Sequence, residues 1–374
     1  EVEHEAFRES FAQFVAKELV PDFLQWEADG IVPRDVFRRA GEFGFLGMAI
    51  PEQYGGGGVD DFRFNQVLGE ELARASLALN SALMLGVDVV APYLLELTTP
   101  EQRERYVPGF CAGRLITAIG MTEPQAGSDL AALRTRAVRD GEGWLLSGTK
   151  TFITNGTSAD LVVVAARTGE GRKDVSLFLV EGDAEGLIRG RRLEKIGQHE
   201  ADTGELFFEE VRLPAESLLG EVGRGFAYMM ERLPQERLSV AVANLAHAAA
   251  ILGETIEYVK ERHAFGRPVG SFQHSRFLIA ELDTAIDVAR AFVDNCTEAH
   301  VAGRLSAVDA AKAKWWSAEV QNRVLDSCVQ LYGGYGFMDE YRAARAFADA
   351  RVTKIWAGTN EIMKDVIGRS LGLA

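Results

Sequence analysis

Several short strings of the chain combine polar residues and glycines in patterns that could bind a cofactor or move a proton. They are MTEPQAGSDL (121–130), KTFITNG (150–156), LPQER (233–237), RHAFGRPVGSFQ (262–273), QLYGGYGF (330–337) and KIWAGTNEIM (354–363). Among them, Glu236 lies two residues after Pro234 in a stretch with helical periodicity. A carboxylate in an apolar neighbourhood can act as a general base near neutral pH, because burial raises its pKa.

The other strings offer ligand-binding groups of a different kind. Phe152 and Thr154 alternate along a predicted strand, so they should share one face, and that face could pack against an aromatic ring system. Arg262 could place its planar donors on phosphate oxygens. Gly333 and Gly334 would let the backbone approach a ligand closely. Each string taken alone could also be an ordinary polar turn next to a helix or strand.

Several common catalytic patterns are missing from the sequence. There is no HExxH and no GxSxG, and the glycines at 334 and 336 neither complete GxGxxG nor follow a strand. No Lys-Ser/Thr pair follows the four glycines at 55–58, which excludes a P-loop there. The three cysteines are far apart and the six histidines are scattered. We therefore expect neither a disulfide framework nor a metal site.

The composition is that of an acidic, folded protein. Of 374 residues, 40 are Lys or Arg and 55 are Asp or Glu, which gives a net charge of −15, while 47% are apolar. A chain this acidic repels phosphate backbones, so no nucleic acid partner is expected. No apolar run is expected to approach the roughly 18–20 residues of a membrane span, so no span is predicted. The chain starts at Glu1 without Met, which suggests a trimmed N terminus.

The distribution of proline and glycine divides the chain into three parts. Residues 1–114 and 223–374 have helical periodicity, whereas residues 115–222 contain short β-type runs such as LVVVAAR and VSLFLVE. No long helix interrupts these runs, so an antiparallel barrel or sandwich is predicted. The last part has four long helical stretches, at 238–262, 274–303, 306–331 and 349–371. The prediction is an α+β multidomain fold: an N-terminal helical domain, a central antiparallel β-barrel or sandwich, and a C-terminal four-helix bundle.

The strings, in this order and on this plan, resemble the acyl-CoA dehydrogenase family over nearly the whole chain. These flavoenzymes desaturate acyl-CoA thioesters between Cα and Cβ during fatty acid β-oxidation. The segments LPQERL, YVKERHAFGRPV, RAFVDNC and DARVTKIWAGTNEIMK look most like the long-chain branch. The resemblance implies an FAD enzyme that passes its electrons to electron-transfer flavoprotein and assembles as a homotetramer. A bacterial cytoplasm is favoured as its location, with the mitochondrial matrix as an alternative because the N terminus looks trimmed.

The resemblance also implies a role for individual residues. Those expected to bind FAD are Met121, Thr122, Ser128, Phe152, Thr154, Arg262, Gln273, Gln330, Gly333, Gly334, Thr359 and Glu361. Of these, Arg262, Gln273 and the turn at 330–334 would serve the FAD of a neighbouring subunit. The residues expected at the acyl-CoA thioester are Ser128, Arg237, Ala357 and Gly358. The chain departs from the family pattern at Gln125, where Gly is usual, and at Phe152, where many relatives carry Trp.

The position of the catalytic base is unusual within the family. Many relatives place a Glu immediately before the Gly-Thr of the last string, where this chain has Ala357. The long-chain and isovaleryl branches supply the base from the first helix of the C-terminal bundle, and Glu236 is the matching residue. The resemblance therefore implies that Glu236 removes the α-proton while a hydride leaves Cβ for flavin N5.

Three alternative functions remain open at this point. The base position also fits an isovaleryl-type enzyme that acts on short branched acyl-CoAs. A flavin oxidase with a substrate other than a CoA thioester is a second alternative, and the retained Ser128 and Arg237 argue against it. The third is a non-catalytic scaffold on the same fold, as in relatives that bind DNA, and the charge of −15 opposes it.

Overall fold

The computed structural model describes residues 1–373, and its N-terminal part is helical. The helices are α1 (Val2–Phe14), α2 (Phe23–Asp29), α3 (Arg34–Glu42), α4 (Phe62–Ala75), α5 (Leu77–Met84), α6 (Ala91–Glu96) and α7 (Pro100–Cys111). A π-helical segment, Leu85–Val90, joins α5 to α6. Side-chain caps set several helix starts: Ser76 caps α5, and Thr99 forms a capping box with Gln102 at the start of α7.

A single mixed β-sheet follows these helices. Its strands are β1 (Thr117–Gly120), β2 (Arg136–Asp140), β3 (Gly143–Thr154), β4 (Leu161–Arg167), β5 (Val175–Glu181), β6 (Leu187–Arg192), β7 (Thr203–Leu213) and β8 (Leu218–Leu219). The order is β6-β7-β3-β2-β4-β5-β8, with β1 beside β4. The inner faces are apolar, as in β4, where all residues from Leu161 to Ala166 are buried.

The prediction of a purely antiparallel sheet was wrong in two places. Strand β1 runs parallel to β4 from Thr117↔Leu161 to Gly120↔Val164, and β2 makes one parallel bridge to β4. The other strand pairs of the sheet are antiparallel. A parallel pair needs a connection of a dozen residues or more, and the segment that holds β2 and β3 provides it between β1 and β4.

The C-terminal part is again helical. It contains α8 (Gly225–Glu261), α9 (Gln273–Val301), α10 (Ala307–Tyr332), α11 (Arg342–Ala350) and α12 (Asn360–Ser370). A two-stranded ribbon, β9 (His263–Ala264) with β10 (Arg267–Pro268), connects α8 to α9. Helix α8 starts before the predicted residue 238 and continues through Pro234. The plan of helices, sheet and helices is confirmed, whereas the domain boundaries after residues 114 and 222 remain predictions.

The prediction of one helix over residues 349–371 was wrong. That stretch holds the end of α11, a 3-10 turn (Arg351–Lys354), an irregular segment and then α12. Ala357 and Gly358 have φ angles of 51° and 90°. A right-handed helix cannot continue through two such residues, so the chain turns there.

Two helical stretches are long and apolar enough to cross a membrane by length and composition alone. They are Leu77–Glu96 and Gly225–Glu261, and the expectation that no apolar stretch reaches this length was wrong. Most of each apolar window is buried inside the fold, 78% in the first and 61% in the second. Core helices of a folded domain pass the same test, so this finding does not establish a membrane span.

Candidate active site

A cavity of about 480 Å³ lies where the three parts of the chain meet. Its volume is in the range of small-molecule sites, roughly 300–1,000 Å³. Its walls come from α5 and the π-helical segment, the loop after β1, the end of β3, the first half of α8 and the turn before α12. The predicted site residues that line it are Met121, Thr122, Ser128, Phe152, Thr154, Glu236, Arg237, Ala357 and Gly358.

Glu236 is a buried carboxyl group in the wall of this cavity. Its Oε1 atom has no hydrogen-bond partner among residues 1–373. Burial raises the pKa of Glu236 to about 7, and the charge of Arg237 and the hydroxyl of Tyr93 oppose the rise. A carboxyl group with this pKa is partly ionised at neutral pH and can accept a proton from a ligand in the cavity.

Arg237 connects α8 to the turn that precedes α12. Its Nε donates a hydrogen bond of 3.2 Å to the carbonyl oxygen of Ala357. Position 358 favours glycine because its φ is 90°, and a Cβ there would also lie 2.7 Å from Met363 Cε, so that side chain would have to shift. The N–H groups of Ala357 and Gly358 have no acceptor within residues 1–373. The turn therefore offers two unused donors in a segment that lines the cavity.

The end of β3 is irregular where it reaches the cavity. The register with β7 shifts between Lys150 and Ile153, and Phe152 has a φ of 60°. The simple alternation predicted for Phe152 and Thr154 was therefore wrong, although both side chains line the cavity. The Phe152 side chain is 67% exposed. A large aromatic residue with a positive φ is strained, and such residues cluster at ligand-binding sites.

The loop after β1 is held by a buried ion pair behind the cavity wall. Lys150 Nζ lies 2.7 Å from Glu123 Oε1 and donates to the carbonyl of Met121 at 3.1 Å. Glu123 also accepts hydrogen bonds from the backbone of Arg134 and from the side chain of Gln125. The residue that departs from the family pattern, Gln125, thus adds a contact to the loop. These contacts fix the backbone that presents Met121 to the cavity.

The remaining predicted residues lie outside this cavity. Arg262, Gly333 and Gly334 line a second, more open pocket, in which the Arg262 guanidinium lies 5.5 Å from the ring centre of Tyr335. Two further predicted residues are exposed and line neither pocket: Gln273 at the start of α9 and Gln330 near the end of α10.

Thr359 and Glu361 line neither pocket. The Thr359 hydroxyl caps α12 by accepting from the N–H of Ile362 at 3.3 Å. Glu361 is exposed in the first turn of that helix. Their assignment to FAD stays a prediction.

Two residues near the site were not predicted from the sequence. Tyr93 is buried, and its hydroxyl affects the pKa of Glu236, but it lies in an apolar helix without a distinguishing motif. Lys314 donates to the carbonyl of Gly358. A sequence signal for Lys314 exists, because it falls in register with Ala310 and Ser317 on the buried face of α10.

Family comparisons agree with this arrangement along the whole chain. Models of the N-terminal, middle and C-terminal domains of acyl-CoA dehydrogenase match residues 1–114, 118–211 and 223–372. The chain belongs to the acyl-CoA dehydrogenase family, whose members are FAD-dependent oxidoreductases. The predicted family, fold class, enzyme class and cofactor are thereby confirmed.

Individual relatives refine the comparison. The long-chain specific acyl-CoA dehydrogenase of Mus musculus mitochondria is 47% identical over 99% of this chain and 86% of the relative. The crystal structure of an acyl-CoA dehydrogenase from Geobacillus kaustophilus is 46% identical, with a TM-score of 0.97 over 99% of this chain and 98% of that one. A glutaryl-CoA dehydrogenase from Mycobacterium smegmatis, solved in complex with FADH2, is 26% identical, with a TM-score of 0.93 over 99% and 95% of the two chains.

Proposed function

We propose that this protein desaturates a long-chain or branched acyl-CoA to the trans-2-enoyl-CoA, with Glu236 as the base. The observation that carries the proposal is the buried carboxyl group of Glu236 in the cavity wall, whose Oε1 atom has no hydrogen-bond partner among residues 1–373. The position that holds the base in many relatives is Ala357, which has no ionisable group. Glu236 is thus the carboxyl group best placed for proton abstraction.

The residues around Glu236 suggest how the proton is removed. With the acyl chain in the cavity, the Cα–H bond breaks, the proton goes to the Glu236 carboxylate and the electron pair moves toward the thioester oxygen. The unused N–H of Ala357 is available to hydrogen-bond that oxygen. When bound, FAD supplies the acceptor for the hydride that leaves Cβ. Loss of a proton and a hydride leaves the new double bond.

The residues of the main cavity fit the ring system of FAD. Exposed Phe152, held in a strained conformation, provides an aromatic wall, and Met121, Thr122 and Thr154 line the same space. The indole Nε1 of Trp356 is buried and has no partner among residues 1–373, so a polar ligand atom could satisfy it. Ser128 is exposed on the loop after β1, where it could contact the CoA arm.

The position of the residues expected to bind the phosphates of FAD suggests an assembly of several subunits. Arg262, Gly333 and Gly334 lie in a pocket separate from the main cavity of the same chain. We propose that this pocket, together with Gln273 and Gln330, holds the FAD of a neighbouring subunit in a homotetramer. Exposed apolar side chains on α9 favour burial against another copy, as Phe277 is 59% and Val288 63% exposed.

Family membership supports a proposal for the electron acceptor and for the substrate branch. Electron-transfer flavoprotein is the proposed acceptor. The mouse long-chain enzyme at 47% identity favours long-chain substrates over the isovaleryl-type alternative. Relatives occur both in mitochondria and in bacteria, so either a bacterial cytoplasm or a mitochondrial matrix fits the proposal.

Flavin bleaching under anaerobic conditions tests the proposal. Purified protein is mixed with butyryl-, isovaleryl-, octanoyl- and palmitoyl-CoA, and with free palmitate as a control. We expect rapid loss of the oxidised flavin absorbance with palmitoyl-CoA and none with palmitate. Equal reduction by the acid and its thioester would contradict a CoA-dependent reaction, and faster reduction by isovaleryl-CoA would favour the branched-chain alternative.

A further inference from the structure

Lys314 is a buried ammonium group next to the turn that lines the cavity. Its side chain is fully buried. Its Nζ donates to the carbonyl oxygen of Gly358 at 2.7 Å and to Asn360 Oδ1 at 3.2 Å. Within residues 1–373 it forms no ion pair, and both of these acceptors are neutral. Burying a lysine without a carboxylate at ion-pair distance costs free energy, and these two hydrogen bonds offset part of that cost.

Lys314 and Arg237 together hold two consecutive carbonyl groups of this turn. Arg237, from α8, binds the oxygen of Ala357, and Lys314, from α10, binds the oxygen of Gly358. In a trans peptide the C=O and the following N–H point in opposite directions. The N–H of Gly358 therefore points away from Arg237. Ala357 and Gly358 both have a positive φ, so the turn depends on the contacts from Arg237 and Lys314 for its shape.

The partner of Lys314 at the start of α12 is itself fixed. Asn360 Nδ2 donates to Glu319 Oε1 at 2.9 Å, and Glu319 pairs with Lys354 at 2.6 Å. Burial lowers the pKa of Lys314 to about 7; the charge of Arg237 adds to this effect, and the carboxylates of Glu361 and Glu319 oppose it. The two cations are thus close enough to repel each other, and the carbonyl oxygens between α8 and α10 offset that repulsion.

We propose that Lys314 is a positioning residue for α-proton abstraction. By holding the carbonyl of Gly358, it fixes residues 356–359 so that the free N–H of Ala357 faces the thioester oxygen. The inference rests on the proposed function and adds to it a residue that does not line the cavity.

This role predicts a specific kinetic signature. Lys314 acts through the turn whose N–H is proposed to bind the thioester oxygen, and not where the CoA arm binds. Loss of the ammonium should therefore lower kcat while KM changes little. A displacement of the donor by about 1 Å can cost on the order of 10²-fold in rate, which sets the expected size of the effect.

The test uses Lys314→Met in the FAD-loaded enzyme, with Lys354→Met as a matched control. The control removes a cation from the same network but does not touch Gly358. The probe is a 3-thia-acyl-CoA, which can lose its α-proton but has sulfur in place of Cβ and so cannot give a hydride. Its enolate, once formed beside oxidised flavin, should give a long-wavelength absorbance band.

We expect Lys314→Met to retain FAD, to show a much weaker band at the same probe concentration and to have a kcat reduced about 10²-fold. Lys354→Met should keep the band.

A wild-type band and kcat in Lys314→Met would overturn the inference. If Lys314→Met does not fold, Lys314→Gln, whose neutral side chain is one bond shorter, is measured, and unchanged values there overturn the inference equally. A wild-type enzyme that shows neither the band nor bleaching by acyl-CoAs would instead refute the proposed function.

Discussion

The Nε atom of Arg237 donates a hydrogen bond of 3.2 Å to the carbonyl oxygen of Ala357. This contact joins the helix that carries Glu236 to the turn that carries the base in many relatives. The two positions from which a base could reach the substrate are therefore next to each other in space. Under the proposed function, a carboxyl group on the turn or on the helix would face the same cavity, and the proposed thioester site would stay in place.

Arg237→Ala should shift the pH dependence of the reaction. The positive charge of Arg237 lowers the pKa of Glu236, so its removal should raise that pKa further. The base would then ionise only at higher pH. We expect the acid limb of kcat/KM to move to higher pH and KM for acyl-CoA to increase. An unshifted acid limb in the variant would show that the two groups do not interact in the working enzyme.

The wild-type enzyme should lose activity as the pH falls below neutrality. Burial raises the pKa of Glu236 to about 7, and only the ionised form can accept the α-proton. The kcat/KM for acyl-CoA should therefore rise with pH and level off above an apparent pKa near 7. Tyr93→Phe removes a hydroxyl that lowers the pKa of Glu236, so it should move the acid limb of the kcat/KM profile to higher pH. A kcat/KM that stays constant between about pH 5 and about pH 8 would contradict a base with a raised pKa.

Glu236 could be proposed as the base from the sequence because the evidence for it is local. Glu236 and the missing carboxylate at Ala357 each stand in a short string with a recognisable pattern. Lys314 and Tyr93 act through contacts between helices that are distant in the chain. A lysine in an alanine-rich helix is usually exposed, and only its register with Ala310 indicates burial.

The irregular backbone conformations at the site also could not be predicted from the sequence. The bulge at Phe152 and the turn at Ala357 both place a residue other than glycine at a positive φ. Periodicity assumes regular strands and helices. It therefore predicted strand alternation through Phe152 and a continuous helix through Ala357. Contacts from other elements, such as the bond from Arg237 to Ala357, stabilise the irregular forms.

Arg262→Ala should reduce the amount of FAD that remains with the protein. Arg262 is a positive group in the second pocket of an acidic chain, where the phosphates of FAD are proposed to bind. We expect a lower ratio of flavin to protein absorbance after purification, and weaker tetramers by light scattering. Arg276→Ala, at an exposed position on nearby α9, serves as the control. A full flavin content in Arg262→Ala would exclude this residue from the FAD site.

Asp349→Asn should stabilise the protein at neutral and mildly alkaline pH. Burial raises the pKa of Asp349 from 3.8 to about 8, so the folded state holds a proton that the unfolded state releases. The free energy of unfolding of the wild type should therefore fall between about pH 4 and pH 8 through this group. The Asn variant lacks that contribution. Its melting temperature should exceed that of the wild type at pH 8 and approach it at pH 5, and the reverse order at pH 8 would contradict the assignment.

The most direct test of the central claim is flavin reduction by palmitoyl-CoA in Glu236→Gln under anaerobic stopped-flow conditions. Glu231→Gln, an exposed glutamate on the same helix, is the matched control. We predict that Glu236→Gln keeps its FAD and binds the thioester, but is reduced at least about 10²–10⁴-fold more slowly than the wild type. The control should be reduced at the wild-type rate. Reduction of Glu236→Gln at the wild-type rate would show that another group removes the α-proton.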